Sequence, residues 1–171
     1  MQMVKKILIG LFALWLALLV FMPKRALYFK LENALSKQGV VIDEKRIKEG
    51  FFTLNIEDAT IYVKGIEVAK VKEINLFTLL FYSSANVELL VPDSSLKAMV
   101  PEKIDHIHLT HSVLSPFKVK LASKGSFGQA EGFAAIKTRK LRVDFVETKD
   151  IESIKRELTK DDKGWHYETS F

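Results

Sequence analysis

The stretch GFFTLNIEDATIYVKGIEVAKVKEINLFTLL, residues 50–80, decides the fold. Apolar residues alternate with polar ones along it. The first alternating positions are Phe52, Leu54, Ile56, Ala59, Ile61 and Val63. A period of two is typical of strands that bury one face. Glu57 and Asp58 interrupt the alternation, which predicts a turn or bulge at that point.

The same alternation continues through most of the chain after Gly39. Further short strands are predicted at Val87, Leu89 and Val91; Leu96, Ala98 and Val100; Ile104 to Leu109; Val119 and Leu121; and Leu141, Val143 and Phe145. Pro92 and Pro101 end two of these runs, because proline cannot donate a hydrogen bond to a central ladder. We therefore expect a mainly β (α+β) domain over residues 40–171, with a twisted antiparallel sheet or an open β-groove.

The N-terminal segment has the pattern of a membrane anchor. Residues 7–22, ILIGLFALWLALLVFM, carry no charge and lie between Lys5–Lys6 and Lys24–Arg25. At about 1.5 Å per residue they cover about 24 Å, slightly less than a hydrocarbon core of about 30 Å. Small residues suited to signal-peptidase cleavage are not well placed after the span. This predicts a cytoplasmic N-terminus and a retained transmembrane signal-anchor within residues 1–22, with the later domain outside the cytoplasm.

Three segments depart from the strand pattern. Residues 23–39 contain Leu27, Leu31 and Leu35 at helical spacing, which predicts an amphipathic helix that packs on the core or lies along a membrane surface. The run LFTLLFY, residues 76–82, predicts a short helix or a buried strand. Residues 150–160 share a helical face and predict a short C-terminal helix.

Composition excludes several classes of function. The chain has 171 residues and no cysteine, so disulfides, thiol catalysis, cysteine zinc sites and a lipidated cysteine are absent. Its net charge is +5, a moderate value. That charge suits anionic lipid headgroups better than nucleic acid, which is usually bound by a denser basic stripe.

Two clusters are candidate sites. His106 and His108 share one face of a predicted strand, with His111 nearby, and such a pair can contribute to a metal site. An exposed polar face explains them more simply. The basic residues Lys137, Arg139, Lys140 and Arg142 form the densest positive patch, which is either a solvated strand face or a docking surface for membrane or partner. No catalytic, cofactor-binding or metal motif is recognised, so we expect a protein that is not an enzyme and needs no cofactor.

The order of a basic start, an apolar span, an amphipathic helix and then residues 50–80 resembles the type II secretion protein N family and the related AsmA-like β-groove proteins. This resemblance implies an inner-membrane, single-pass protein with a periplasmic β-groove that assists a type II secretion or pilus-like assembly. Its partners would be inner-membrane lipid and secretion-machine proteins.

Two other functions remain open. One is lipid binding and transport, as in the lipopolysaccharide transport C component. The other is a metal-dependent hydrolase that uses His106 and His108. The sequence leaves the oligomeric state open.

Overall fold

The structure, a computed structural model, describes residues 2–20, 23–79, 81–96, 99–162 and 164–171. Two helices come first, α1 (Gln2–Val20) and α2 (Lys24–Ser36). The strands are β1 (Val40–Glu49), β2 (Thr53–Val63), β3 (Ile66–Leu79), β4 (Tyr82–Pro92), β5 (Ile104–Ser112), β6 (Lys118–Gly125), β7 (Gly128–Ala135), β8 (Lys140–Thr148), β9 (Thr159–Asp161) and β10 (Gly164–Ser170). Short 3₁₀ turns lie at Ser94–Leu96 and Lys155–Glu157.

All ten strands form one antiparallel sheet in which most neighbours are also consecutive in the chain. The order is β1-β2-β3-β4-β5-β6-β7-β8-β10-β9. A hairpin joins most neighbouring strands, so the topology needs no long crossover. Only β10 departs from this order, since it lies between β8 and the three-residue strand β9.

Two left-handed residues keep the apolar side chains on a single face. Asp58 has a φ of 52° and Leu89 has a φ of 50°. In β2, two residues therefore separate the apolar positions Ile56 and Ala59, where strict alternation has one. Ile56 and Ala59 consequently contribute to the same cluster. Asp58 lies within one continuous strand, β2, whose pairing with β1 and β3 keeps its register at that point. The register shift between β2 and β3 lies at Ile61 and Tyr62 and not at the predicted Glu57 and Asp58.

Two hydrophobic clusters lie at opposite ends of this apolar face. In the first, Tyr28 of α2 packs with Leu54, Ile56, Ala59 and Val71, and Ile56 is only 1% exposed. In the second, Ile151 of the segment after β8 packs with Phe127 and Ala130. The amphipathic helix predicted within 23–39 is present as α2, and it packs on the sheet through Tyr28.

The predicted transmembrane anchor is corrected by the structure. None of the helices in the described residues is long and apolar enough to cross a membrane. Lys5 and Lys6 lie inside α1, so its uncharged part starts at Ile7 and runs to Val20. At about 1.5 Å per residue this part covers about 21 Å, less than the hydrocarbon core of about 30 Å. Phe21 and Met22, which the predicted span included, lie outside the described residues.

The correction extends to everything that depended on the anchor. The transmembrane and signal-anchor assignment, the single-pass inner-membrane location and the periplasmic placement of the domain all required a spanning helix. The fold class predicted from the sequence is therefore wrong in its membrane-spanning element.

Other predicted elements also differ. The C-terminal helix predicted over 150–160 is wrong, because only the 3₁₀ turn Lys155–Glu157 forms there and Ile151 anchors the second cluster instead. The strand predicted from Leu96 to Val100 is wrong in its described part, which is a 3₁₀ turn and a loop; Ala98 lies outside the described residues. In the run 76–82, residues 76–79 end β3 and Tyr82 starts β4, while Leu80 lies outside the described residues.

Candidate functional site

Two rows of side chains cross the sheet at right angles to the strands, on the face that holds both clusters. The strand register pairs the members of each row directly with one another. The first row is Leu54, Leu76, Ala85, Leu109, Leu121, Gly132 and Val143; the second is Ile56, Ile74, Val87, Ile107, Ser123, Ala130 and Phe145. We call these rows the apolar stripe, since only Ser123 and Gly132 lack an apolar side chain.

The middle of the apolar stripe belongs to neither hydrophobic cluster. Ile107 and Leu109 of β5 and Leu121 of β6 are half-buried, and none of them packs against the buried residues of either end. On β7 the stripe is lined by small residues, Ala130 and Gly132. A single-layer sheet thus leaves a section of apolar surface without a covering element among the described residues.

At the β2–β3 end, the stripe runs into a cleft beneath α2. The cleft has a volume of about 200 Å³. It is lined by Leu27, Leu31, Phe52, Leu54, Leu76 and Lys24, together with Tyr28 and Thr78. The hydroxyl of Tyr28 donates a hydrogen bond of 3.3 Å to Glu44, and burial and then the charge of Glu44 raise the pKa of this phenol. Lys24 is the one charged residue among those lining this apolar cleft.

The opposite face of the sheet is polar. A broad depression of about 590 Å³ lies over β5 to β8, and its lining includes His108, Lys120, Glu131 and Asp144. It is open to solvent and mixed in charge. At the other end of the sheet, Lys48 and Arg46 of β1 donate hydrogen bonds to Glu57 of β2, and these contacts lower the pKa of Glu57. This face resembles an ordinary solvated surface.

The structure separates the three histidines of the candidate metal site. His106 and His108 are exposed on the polar face, where His108 Nδ1 contacts the side-chain oxygen of Asn86. His111 belongs to the opposite face, as its register with Val119 shows, and its Nε2 lies 3.1 Å from the carbonyl oxygen of Pro116. Within the described ranges, no group of three His, Asp or Glu residues could hold a metal ion.

Asp105, the carboxylate closest in sequence to these histidines, is paired elsewhere. Its Oδ1 lies 2.9 Å from Lys103 Nζ, and the hydrogen bond from Lys103 lowers the pKa of Asp105. His106 and His108 therefore lie on the same face of β5, but neither His111 nor Asp105 joins them as a further metal ligand.

The predicted basic patch divides into two parts. Arg142 donates hydrogen bonds to Asp144 (2.8 Å) and Asp161 (2.9 Å), which raise the pKa of its guanidinium above the ordinary value and tie β8 to β9. Lys137 and Arg139 are exposed in the turn between β7 and β8. Lys140 is the first residue of β8, between Arg139 and Arg142 in the chain, and its Nζ lies 3.4 Å from Glu168 Oε1. Arg142 is thus a structural residue, whereas Lys137 and Arg139 are accessible at the end of the sheet.

The sequence identifies most members of the apolar stripe one strand at a time but not the stripe itself. Its β7 section was missed, because Ala130, Gly132 and Ala134 are small and leave only a weak alternating signal. Continuity across the strands depends on register, which a single strand does not reveal.

Comparisons with protein families, with characterised proteins and with solved structures found no match. The family resemblance stated above stays a prediction.

Proposed function

We propose that this protein binds the acyl chain of a fatty acid or lipid along the apolar stripe and catalyses no reaction on it. The observation that carries this proposal is the continuous stripe with an uncovered middle section over β5 to β7. Exposed contiguous apolar surface on a folded domain usually marks a binding site.

The dimensions of the stripe favour an acyl chain as the occupant. Seven strands at about 4.8 Å spacing make it about 29 Å long. Two leaflets of acyl chains together span about 30 Å, so the stripe is longer than one chain. If a methylene takes roughly the 30 Å³ of a liquid water molecule, a cleft of about 200 Å³ holds about six methylenes.

Charge favours a ligand with an anionic head. Lys24 is the charged residue of the cleft lining, and the chain carries a net charge of +5. An anionic head next to Lys24 would add to the contacts that this residue already makes, while its chain lies on the leucines.

Assembly of a secretion or pilus-like machine, the function that the resemblance implies, remains a second proposal. A scaffold of this kind often binds by adding a strand to a sheet edge. Here the edge strand β1 carries six charged residues, Asp43, Glu44, Lys45, Arg46, Lys48 and Glu49, and the other edge strand, β9, has three residues. Charged and short edges oppose strand addition, which is why we favour the acyl-chain ligand.

Titration of the full chain with cis-parinaric acid, a naturally fluorescent fatty acid, tests the proposal. We expect the double substitution Leu109→Gln/Leu121→Gln to raise Kd about tenfold or more, because losing contact with two methylenes at about 0.8 kcal/mol each amounts to about 1.6 kcal/mol. The matched control Thr110→Gln/Ala122→Gln places the same side chains on the polar face of the same strands and should keep the wild-type Kd.

Three results would overturn the proposal. Two of them are absence of fatty-acid binding by the wild type and equal losses in both variants. The other is a wild-type dimer that Leu109→Gln/Leu121→Gln converts to a monomer, as measured by light scattering, since a second copy would then cover the stripe.

A further inference from the structure

At one end of the strands, every turn carries exposed apolar side chains. We call this end of the strands an edge of the sheet, in contrast to the edge strands β1 and β9. Because the strands alternate in direction, the β1–β2, β3–β4, β5–β6 and β7–β8 turns and the end of β10 all lie at this edge. Its exposed apolar residues are Phe51, Phe81, Val113, Leu114, Phe117, Ile136 and Phe171. We call this set the apolar rim. Leu114 is 93% exposed and Phe51 is 75% exposed, values that are unusual for large apolar side chains.

Backbone hydrogen bonds join neighbouring turns of the apolar rim. Val113 N donates to Phe81 O (3.0 Å), and Ile136 N donates to Phe117 O (2.9 Å). Phe171 N donates to Arg139 O (3.0 Å). The rim is therefore one connected edge, about 38 Å long for eight strand intervals of about 4.8 Å.

Helix α1 meets the same edge. The ring of Trp15 lies 5.6 Å from the ring of Phe81, and α1 exposes further large apolar side chains such as Leu8 and Phe12. Apolar surface is thus concentrated at one end of the molecule.

Most of the charged residues in the turns at this edge are positive, and the exception is Glu49, the last residue of β1. The turn segments 79–82, 112–118 and 136–140 contain Lys118, Lys137, Arg139 and Lys140 and no Asp or Glu. At the opposite edge, the connections 93–103 and 149–162 contain seven acidic and six basic residues, so positive charge does not dominate there. Exposed large apolar side chains there include Ile66 and Met99.

We propose that the apolar rim docks on the surface of an anionic lipid bilayer. Its aromatic and aliphatic side chains enter the boundary between headgroups and acyl chains, while Lys137 and Arg139 contact the headgroups. A row of separate turns about 38 Å long matches a planar surface better than the pocket of a protein partner. The positive charge selects anionic lipid. This proposal does not depend on acyl-chain binding by the stripe.

Sedimentation of the full chain with vesicles of phosphatidylglycerol and phosphatidylcholine tests it. We expect Leu114→Ser/Phe117→Ser to weaken vesicle binding about tenfold or more, since two side chains that enter the interface are lost. The matched control Ile66→Ser/Met99→Ser removes two exposed apolar side chains from the opposite edge and should bind like the wild type. Helix α1 is intact in both variants, so its own contribution cancels.

A second variant tests the charge. Lys137→Gln/Arg139→Gln should weaken binding to the anionic vesicles by about tenfold or more at low salt, and less at high salt, because each basic residue near such a surface contributes about a fivefold factor. Binding to pure phosphatidylcholine vesicles should stay the same.

Three outcomes would overturn the proposal: no binding of the wild type to vesicles, equal binding by the rim variant and the wild type, or equal losses from both edges. A wild-type dimer that the rim variant converts to a monomer would also do so, because the rim would then be an interface between copies. Failure of the proposed function is a separate result, since it is read from fatty-acid titration of the stripe variants.

Discussion

Glycines with the same backbone conformation have different roles in this sheet. Gly65 (φ +82°) and Gly128 (φ +104°) both occupy the left-handed region, which favours glycine. A side chain at Gly65 would enter open space, whereas at Gly128 it would collide with the backbone carbonyl of Glu147 on β8. At position 65 glycine is needed only for the left-handed backbone of the turn. At position 128 it also allows β7 and β8 to approach each other closely.

The first prediction follows from this difference. We expect Gly65→Ala to lower the free energy of unfolding by about 1–2 kcal/mol, the ordinary cost of a left-handed alanine. Gly128→Ala should cost more, about 3 kcal/mol or above, because backbone must also move. Urea denaturation of both variants measures the two costs, and equal costs would contradict the close approach of β7 and β8.

At the scale of elements, α2 and the C-terminal strands are attached in different ways. Tyr28 attaches α2 by burial against Ile56, and only 6% of its surface is exposed. The edge strand β9 has no buried residue, and Arg142 ties it to β8 through Asp161. The strand β9 is therefore held by its backbone ladder with β10 and by the ion pair with Arg142, whereas α2 is held by packing.

The second prediction concerns this network. Arg142→Met should increase amide hydrogen exchange in β9 and β10, because it removes the hydrogen bonds to Asp144 and Asp161. Lys140→Met, which removes one exposed contact with Glu168, is the matched control and should leave exchange nearly unchanged. Similar exchange in the two variants would show that Arg142 does not secure the edge.

At the scale of the whole molecule, the sheet behaves as a row of strands with a core at each end. Strands contact mainly their neighbours, and the two hydrophobic clusters share no buried residue. Stability in such an arrangement is approximately a sum of local terms, so the ends can open separately.

The third prediction tests this independence. Ile151→Ala should cost about 2–4 kcal/mol at its own end of the sheet. It should increase hydrogen exchange in β7, β8 and β10 and leave β2 and β3 protected. Tyr28→Ala should give the reverse pattern, with increased exchange in α2, β1 and β2. If either variant exposed all strands equally, the sheet would be one cooperative unit.

The sequence by itself determined the alternating strands around Leu54 and Ile61 and the helix that presents Tyr28, because both depend on local periodicity. The sequence did not predict β7, because the alternating residues there are small. Its prediction of a helix that includes Ile151 was wrong. The sequence also predicted a membrane-spanning helix, and none of the helices in the described residues is long and apolar enough to cross a membrane.

Tertiary structure decided how the strands align. Register placed Leu109 beside Leu121 and so made one stripe from separate strands. The alternating direction of the strands gathered Phe81, Leu114 and Phe117 at one edge. These groupings join residues far apart in the chain, and local patterns carry no information about which distant residues become neighbours.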